Sequence, residues 1–110
     1  MNHRVPELNG YFADWCPHCA HAKPLFNEFS TMIKQKFKNN NIAININIYK
    51  DGDDREKIVN RNIQGYPTTE FRIPINESEE EVIPFDVREI PEEEMNRVAT
   101  DIASIFKKYM

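Results

Sequence analysis

The sequence predicts an α/β sandwich built on a mixed four-stranded sheet, and three observations lead there. Ile42, Ile44, Ile46 and Ile48 alternate with Ala43, Asn45, Asn47 and Tyr49, the period of two that marks a strand with one apolar face. From Pro17 onward Ala22, Leu25, Phe26, Phe29, Met32, Ile33 and Phe37 recur at helical spacing. The whole chain then reads strand, helix, strand, helix, hairpin, helix, an order that belongs to this class.

Each element carries its own signal. Leu8 to Ala13 is short and partly aromatic, a first strand. Pro24 falls inside the long helical pattern, and because the periodicity continues beyond it a kink is expected rather than an end. Asn39, Asn40 and Asn41 form the turn that closes this helix, and Ile42 to Tyr49 is the second strand. Asp51 to Asp54 is a turn, followed by a short helix over Arg55 to Asn62 carrying Ile58 and Val59. Thr68 to Ile73 alternates again, Asn76 to Glu80 turns, and Glu81 to Phe85 is a short returning strand. The run Glu77, Glu79, Glu80 and Glu81 is expected to be a solvated hairpin tip. The last helix begins at Pro91 and should bury Met95, Val98, Ala99, Ile102, Ile105, Phe106 and Tyr109. Its acids Glu92, Glu93 and Glu94 at the start and Lys107 and Lys108 at the end match the helix dipole.

Composition bounds the function. A chain of 110 residues makes one domain over 1–110, and seven Phe, four Tyr and one Trp supply large side chains for a single core. The net charge of -4 argues against a nucleic-acid partner, which usually calls for a basic excess. No apolar run approaches the roughly 20 residues that span a bilayer, so no membrane span is expected. Met1 to Glu7 lack the apolar stretch of a secretory leader, and with Met1 as the native start the cytoplasm is the expected compartment.

Only two cysteines are present, Cys16 and Cys19. A bridge between them closes almost no loop and adds little by constraining the unfolded chain, so chemistry explains the pair better than architecture does. Cys16 falls where the first strand gives way to the long helix, which puts its sulfur at the helix N-terminus. Pro17 is well tolerated at the first helical position because its missing N–H would be an orphan there. Free N–H groups and the positive end of the dipole favour a thiolate, the nucleophilic form. Cys19 lies one turn deeper on the same face, placed to attack a mixed disulfide formed at Cys16. His18 between them can give the Cys16 thiolate a hydrogen bond or positive charge, making the disulfide a stronger oxidant.

This reads as disulfide exchange with protein thiols and disulfides, recharged by an upstream redox partner and needing no cofactor, since the sulfurs carry the electrons. Rival readings are two structural cysteines, a non-catalytic binding module, and a zinc site drawn from Cys16, Cys19, His21 and His3. Against zinc stand the missing knuckle glycines and the absence of a second cysteine pair. His21 is otherwise expected at the surface and His3 in the tail, while Trp15 either packs under the site or lines a substrate groove.

Trp15-Cys16-Pro17-His18-Cys19 resembles the active site of the thioredoxin superfamily. Trp precedes the first Cys in thioredoxins and protein disulfide isomerases. The Cys-Pro-His-Cys tetrad is similar to that of the periplasmic oxidants of the DsbA type, and Trp-Cys-x-His-Cys is the isomerase pattern. Gly65-Tyr66-Pro67-Thr68 resembles the family's Gly-Ile-Pro-Thr loop, and Pro24 matches its helix-kinking proline. The resemblance implies a thioredoxin-like three-layer sandwich and a cis bond before Pro67. It also implies a loop of Tyr66, Pro67 and Thr68 that faces the cysteines and holds the substrate backbone. The histidine favours an oxidase or isomerase, whereas a reducing compartment favours a reductase.

Two departures matter. Too few residues precede Cys16 for the family's extra first strand and helix, so the expected fold is the shorter, glutaredoxin-like core with the Ile42–Tyr49 strand at the sheet edge. Asn45, Asn47, Glu70 and Arg72 then fit a face that is less fully covered. The glycine-rich and acidic motif that binds glutathione in cluster-holding glutaredoxins is not visible. Second, the family carries an acid six residues before the first Cys, where this chain has Gly10. Cys19 must therefore lose its proton to water or to another group, with Glu70 and Lys50 as candidates. Arg88 lies near the place where isomerases keep an arginine that modulates the second cysteine.

Overall fold

The computed structural model describes residues 4–109; His3 lies outside them, so its expected place in the tail and its candidacy as a zinc ligand lie outside them too. Four strands, β1 (Glu7–Phe12), β2 (Asn45–Lys50), β3 (Thr68–Pro74) and β4 (Glu80–Phe85), form one sheet in the order β2-β1-β3-β4. β1 runs parallel to β2 and antiparallel to β3, and β3 and β4 form the hairpin, so the sheet is mixed and β2 is an edge. The three helices are α1 (Pro17–Asn39), α2 (Arg55–Asn60) and α3 (Met95–Tyr109).

One face of the sheet holds the apolar core. α1 runs unbroken through Pro24 and presents Ala22, Leu25, Phe26, Phe29, Ile33 and Phe37 to the sheet and to α3. Aromatic rings tie the layers together. Phe29 meets Phe85 edge-on at 5.7 Å, Phe71 stacks on Phe85 at 5.4 Å, and Phe37 packs on Phe106 at 5.0 Å. Burying a phenylalanine side chain is worth about 1.5–3 kcal/mol, so this cluster dominates the folding energy. Asn40 closes α1 by donating from its side chain to the Lys36 carbonyl, and Asn41 turns the chain at φ 58°.

β2 starts at Asn45 rather than Ile42 because its parallel partner begins at Glu7, opposite Asn45. Ile48, expected on the apolar face, is 44% exposed at this free edge. α2 ends at Asn60, two residues early, because Asn62 takes a positive φ; Ile58 is buried and Val59 is not. The last helix is preceded by a 3₁₀ turn, Glu92–Glu94, and its Ile105 and Tyr109 are exposed, against expectation. Ile105 rims an open groove with Ile83, and Tyr109 ends the helix beneath the Lys108 ammonium.

The opposite face is polar. Glu70 and Arg72 are buried although no long helix covers them, in keeping with the sparse covering expected of this face. They are buried among one another's partners: Arg72 pairs with both Glu70 and Glu80. The Tyr11 hydroxyl donates to Glu70 at 2.6 Å, and the Asn9 amide at 3.1 Å. Asn47 donates to Asn9 across the β1–β2 pair at 2.9 Å, while Asn45 is exposed. Arg61, just past α2, reaches over this face to Tyr11 and Glu7 and lies over the Tyr49 ring. Glu80, expected at a solvated tip, belongs to this network. The third layer of the sandwich is therefore thin, consisting of α2 and a satisfied mesh of charged and amide side chains.

Candidate active site

The end of a parallel strand pair is where chain segments from different elements meet. β1 ends at Phe12 beside Lys50, and the loop Ala13–Trp15 leads directly into α1. Cys16 is the N-cap of α1, with extended backbone (φ -95°, ψ 112°), and Pro17 follows at the first helical position. The cap geometry turns the Cys16 sulfur onto the helix end, where it accepts the Cys19 N–H at 3.2 Å. Its thiol donates to the Tyr66 carbonyl at 3.6 Å, which ties the cysteine loop to the Tyr66-Pro67 segment. Cys16 and Cys19 are both buried and both free thiols.

The two sulfurs have different surroundings. Burial pushes the Cys19 thiol up to about 11, helped by its hydrogen bond with Cys16 and opposed by a backbone hydrogen bond of Ala13 and the charge of Arg88. Cys19 therefore stays protonated at neutral pH. Arg88 is clamped by Asp86, which also caps the 3₁₀ turn Val87–Glu89 from Arg88 N–H, and its charge acts on both sulfurs. His18 and Pro17 are exposed on the first turn of α1. Among the described residues the Cys16 sulfur finds its partners in Cys19 and Tyr66, not in His18. His21 is exposed, and no group of three or more His, Cys, Asp or Glu side chains converges on a common point among the described residues.

Around Cys16 stands a rim that the sequence did not reveal as a unit. The Tyr66–Pro67 peptide is cis, and Thr68 donates back to the Gly65 carbonyl at 2.6 Å, folding the loop. Trp15 is 70% exposed and meets the Tyr66 ring edge-on at 5.9 Å, so it lines the site rather than packing beneath it. Asp51 joins them: one carboxylate oxygen accepts the Trp15 indole N–H at 3.0 Å, the other the Tyr66 hydroxyl at 3.1 Å. The signal for Asp51 was available, because it follows β2 directly and a parallel partner ends at the same edge as β1. Its backbone N–H bonds the Phe12 carbonyl.

The position of the missing acid is filled. A Cβ on Gly10 would lie 2.6 Å from Phe12 Cε2 and 3.0 Å from Phe26 Cε2, so two core rings occupy the space a side chain would take. Glu70, a candidate replacement, is on the opposite face of the sheet and bound into the Arg72 network, which removes it from the reaction. Lys50 is nearer: its ammonium pairs with Asp14 at 2.7 Å, and both line a cleft that Cys19 also lines.

A four-stranded mixed sheet with a Cys-x-x-Cys pair at the start of its long helix and a cis-proline loop opposite defines a class of folds. The chain belongs to the thioredoxin family, whose profile matches residues 2–82. No curated protein matches it. Among solved structures it is similar to the first two thioredoxin domains of Saccharomyces cerevisiae Eps1p, at 19% identity and TM-score 0.64, covering 94% of this chain and 40% of that one. The first thioredoxin domain of mouse protein disulfide-isomerase A4 aligns at 14% identity and TM-score 0.60, covering 94% and 64%. The J-Trx1 fragment of ERdj5 aligns at 15% and 0.61, covering 97% and 45%. The chain thus spans less than two thirds of each of these proteins, and at such identities the likeness is one of fold.

Proposed function

We propose that this chain exchanges disulfides with protein partners, Cys16 being the attacking sulfur and Cys19 the resolving one. The observation that carries the reading is the cap: the Cys16 sulfur sits at the positive end of a 23-residue helix and accepts the Cys19 N–H. That position offers helix N–H groups to a sulfur on which negative charge develops, while Cys19, one turn deeper, stays protonated until it is needed. Cys16 attacks a partner's disulfide, releasing one partner thiolate and leaving a mixed disulfide. Cys19 then displaces the second partner sulfur, closing Cys16–Cys19. Two electrons pass from the dithiol to the partner, and the reverse sequence oxidises a partner dithiol. His18, exposed on the first turn next to Cys16, is the residue that tunes the potential of the pair. Membership of the thioredoxin family, and the presence of a protein disulfide-isomerase domain among its structural relatives, support the same reading.

The partner's extended backbone lies along Tyr66, Pro67 and Thr68, with Trp15 beside it. On this reading Asp51 fixes the rim, and Asp51→Ala frees both rings. The expected result is a KM for a disulfide-containing peptide raised about fivefold, the equivalent of one exposed hydrogen bond, with kcat within about twofold. An unchanged KM removes the rim from substrate binding.

The test of the whole reading is the reduction potential of the pair, followed by Trp15 fluorescence in glutathione buffers. A reversible two-electron couple is expected. A value near roughly -120 mV marks an oxidant, near roughly -180 mV an oxidase or isomerase, and near roughly -270 mV a reductase. The absence of any couple defeats the proposal.

A further inference from the structure

Resolving the mixed disulfide requires Cys19 to lose a proton, and the usual place for the group that takes it is shut by Phe12 and Phe26 against Gly10. The other side of Cys19 is open. Because β2 is the sheet edge, a cleft of about 300 Å³ runs between β2 and α1, lined by Cys16, Cys19, Asp14, Lys23 and Lys50. Cys19 borders this cleft although its surface is otherwise buried. Asp14 follows Ala13 in the loop before α1, and both residues line this cleft together with Cys19. Lys50 fixes the Asp14 carboxylate at 2.7 Å, on the solvent side of the cleft.

We infer that Asp14 is the proton acceptor for Cys19, working through water in this cleft and replacing from the solvent side the acid that Gly10 excludes from the core. The inference rests on the exchange reading above. As Cys19 Sγ forms its bond to Cys16 Sγ, the bond from Cys16 to the partner sulfur breaks. The partner leaves as a thiolate, and the Cys19 proton passes through water to the Asp14 carboxylate. Lys50 positions Asp14 and offsets its charge near the developing thiolate. The other charges facing the reaction are Lys23 on α1, Asp53 acting on Lys50, and Arg88 acting on both sulfurs. His18 is exposed on the first turn of the same helix.

A purely electrostatic role predicts the opposite sign. Removing a negative charge beside Cys19 would ease its ionisation and speed resolution, whereas losing a proton acceptor slows it. The experiment uses the reduced chain and the aromatic disulfide dithiobis(nitrobenzoate) in stopped flow. Attack by Cys16 releases a first coloured thiolate, and resolution by Cys19 releases a second. In Asp14→Asn the ratio of the second rate to the first should fall about tenfold near neutral pH, below the roughly 10²–10⁴-fold of a well-placed general base because the group is exposed and acts through water. Asp14→Glu should restore part of it. Added imidazole should accelerate the second phase of Asp14→Asn in proportion to its concentration, a response that a structural defect would not give. The gap between variant and parent should close as the pH approaches about 11, where Cys19 ionises unaided. An unchanged or increased ratio in Asp14→Asn overturns the inference while leaving exchange intact. A parent chain that never releases the second thiolate overturns the exchange reading itself.

Discussion

Gly10→Asp, which would return an acid to the position the thioredoxin family uses, should severely destabilise the protein rather than improve it. The added Cβ alone lies 2.6 and 2.9 Å from Phe12 ring atoms and 3.0 Å from Phe26. These rings meet edge-on at 5.6 Å and are almost fully buried, so an added Cβ forces them to shift within the core. Overpacking of this kind costs about 1–3 kcal/mol. The carboxylate adds a further cost of several kcal/mol, since it enters an apolar core with no cation to meet it. A total of about 4 kcal/mol or more is a large part of the 5–15 kcal/mol typical of a domain. Urea unfolding followed by Trp15 fluorescence checks this, with Gly10→Ala as the variant that isolates the steric share. Stability within about 1 kcal/mol of the parent would mean that the rings repack freely, and the account of why the acid is missing would fail.

The second large effect lies on the polar face. Arg72→Met removes the cation that pairs with Glu70 and Glu80 and leaves the Glu70 carboxylate buried with only Tyr11 and Asn9 as donors. Breaking a buried pair from one side costs about 3–5 kcal/mol. Glu70→Gln combined with Arg72→Met should recover more than half of the loss, because the amide still accepts from Tyr11 and Asn9 and carries no charge. The pH dependence gives an independent check. Burial by itself would raise the Glu70 carboxyl, but hydrogen bonds from Arg72, Tyr11 and Asn9 together hold it below its ordinary value of 4.5. A depressed folded value means that Glu70 contributes stability above pH 4.5, lost as the pH falls through that lower value. Without Arg72 the burial effect gains ground, so acid should destabilise the variant less than the parent. Equal acid slopes in the two proteins would deny Arg72 this role.

Periodicity carried the elements because burial on one side of a strand or helix writes itself into the sequence locally. The same local signal misled at Ile105 and Tyr109: the apolar stripe of α3 is wider than the surface it packs on, and its flank and end stay open. Asn9, Tyr11, Glu70 and Arg72 were harder. Alternating charges on a strand look like a solvated face, and only the register, which sets Asn9 opposite Glu70 and Glu7 opposite Arg72, turns them into a closed network. At the candidate site Cys16, Cys19 and the Tyr66-Pro67-Thr68 loop were legible from spacing and resemblance. Lys50 was legible as a candidate acceptor, and Asp51 as a residue just after β2. The pairing of Lys50 with Asp14 and the bonds of Asp51 to Trp15 and Tyr66 were not legible, because these contacts cross strand ends that the sequence alone does not bring together.

The mesh on the polar face also bears on how this protein meets heat. Apolar contacts gain little strength per unit area on warming, whereas ions become cheaper to dehydrate, because their hydration carries a strongly negative entropy. Exposing polar surface lowers the heat capacity of unfolding, where exposing apolar surface raises it. A face knit by Arg61, Arg72, Glu7 and Glu70 in place of aliphatic side chains flattens the stability curve and spreads the protein's tolerance over a broader span of temperatures.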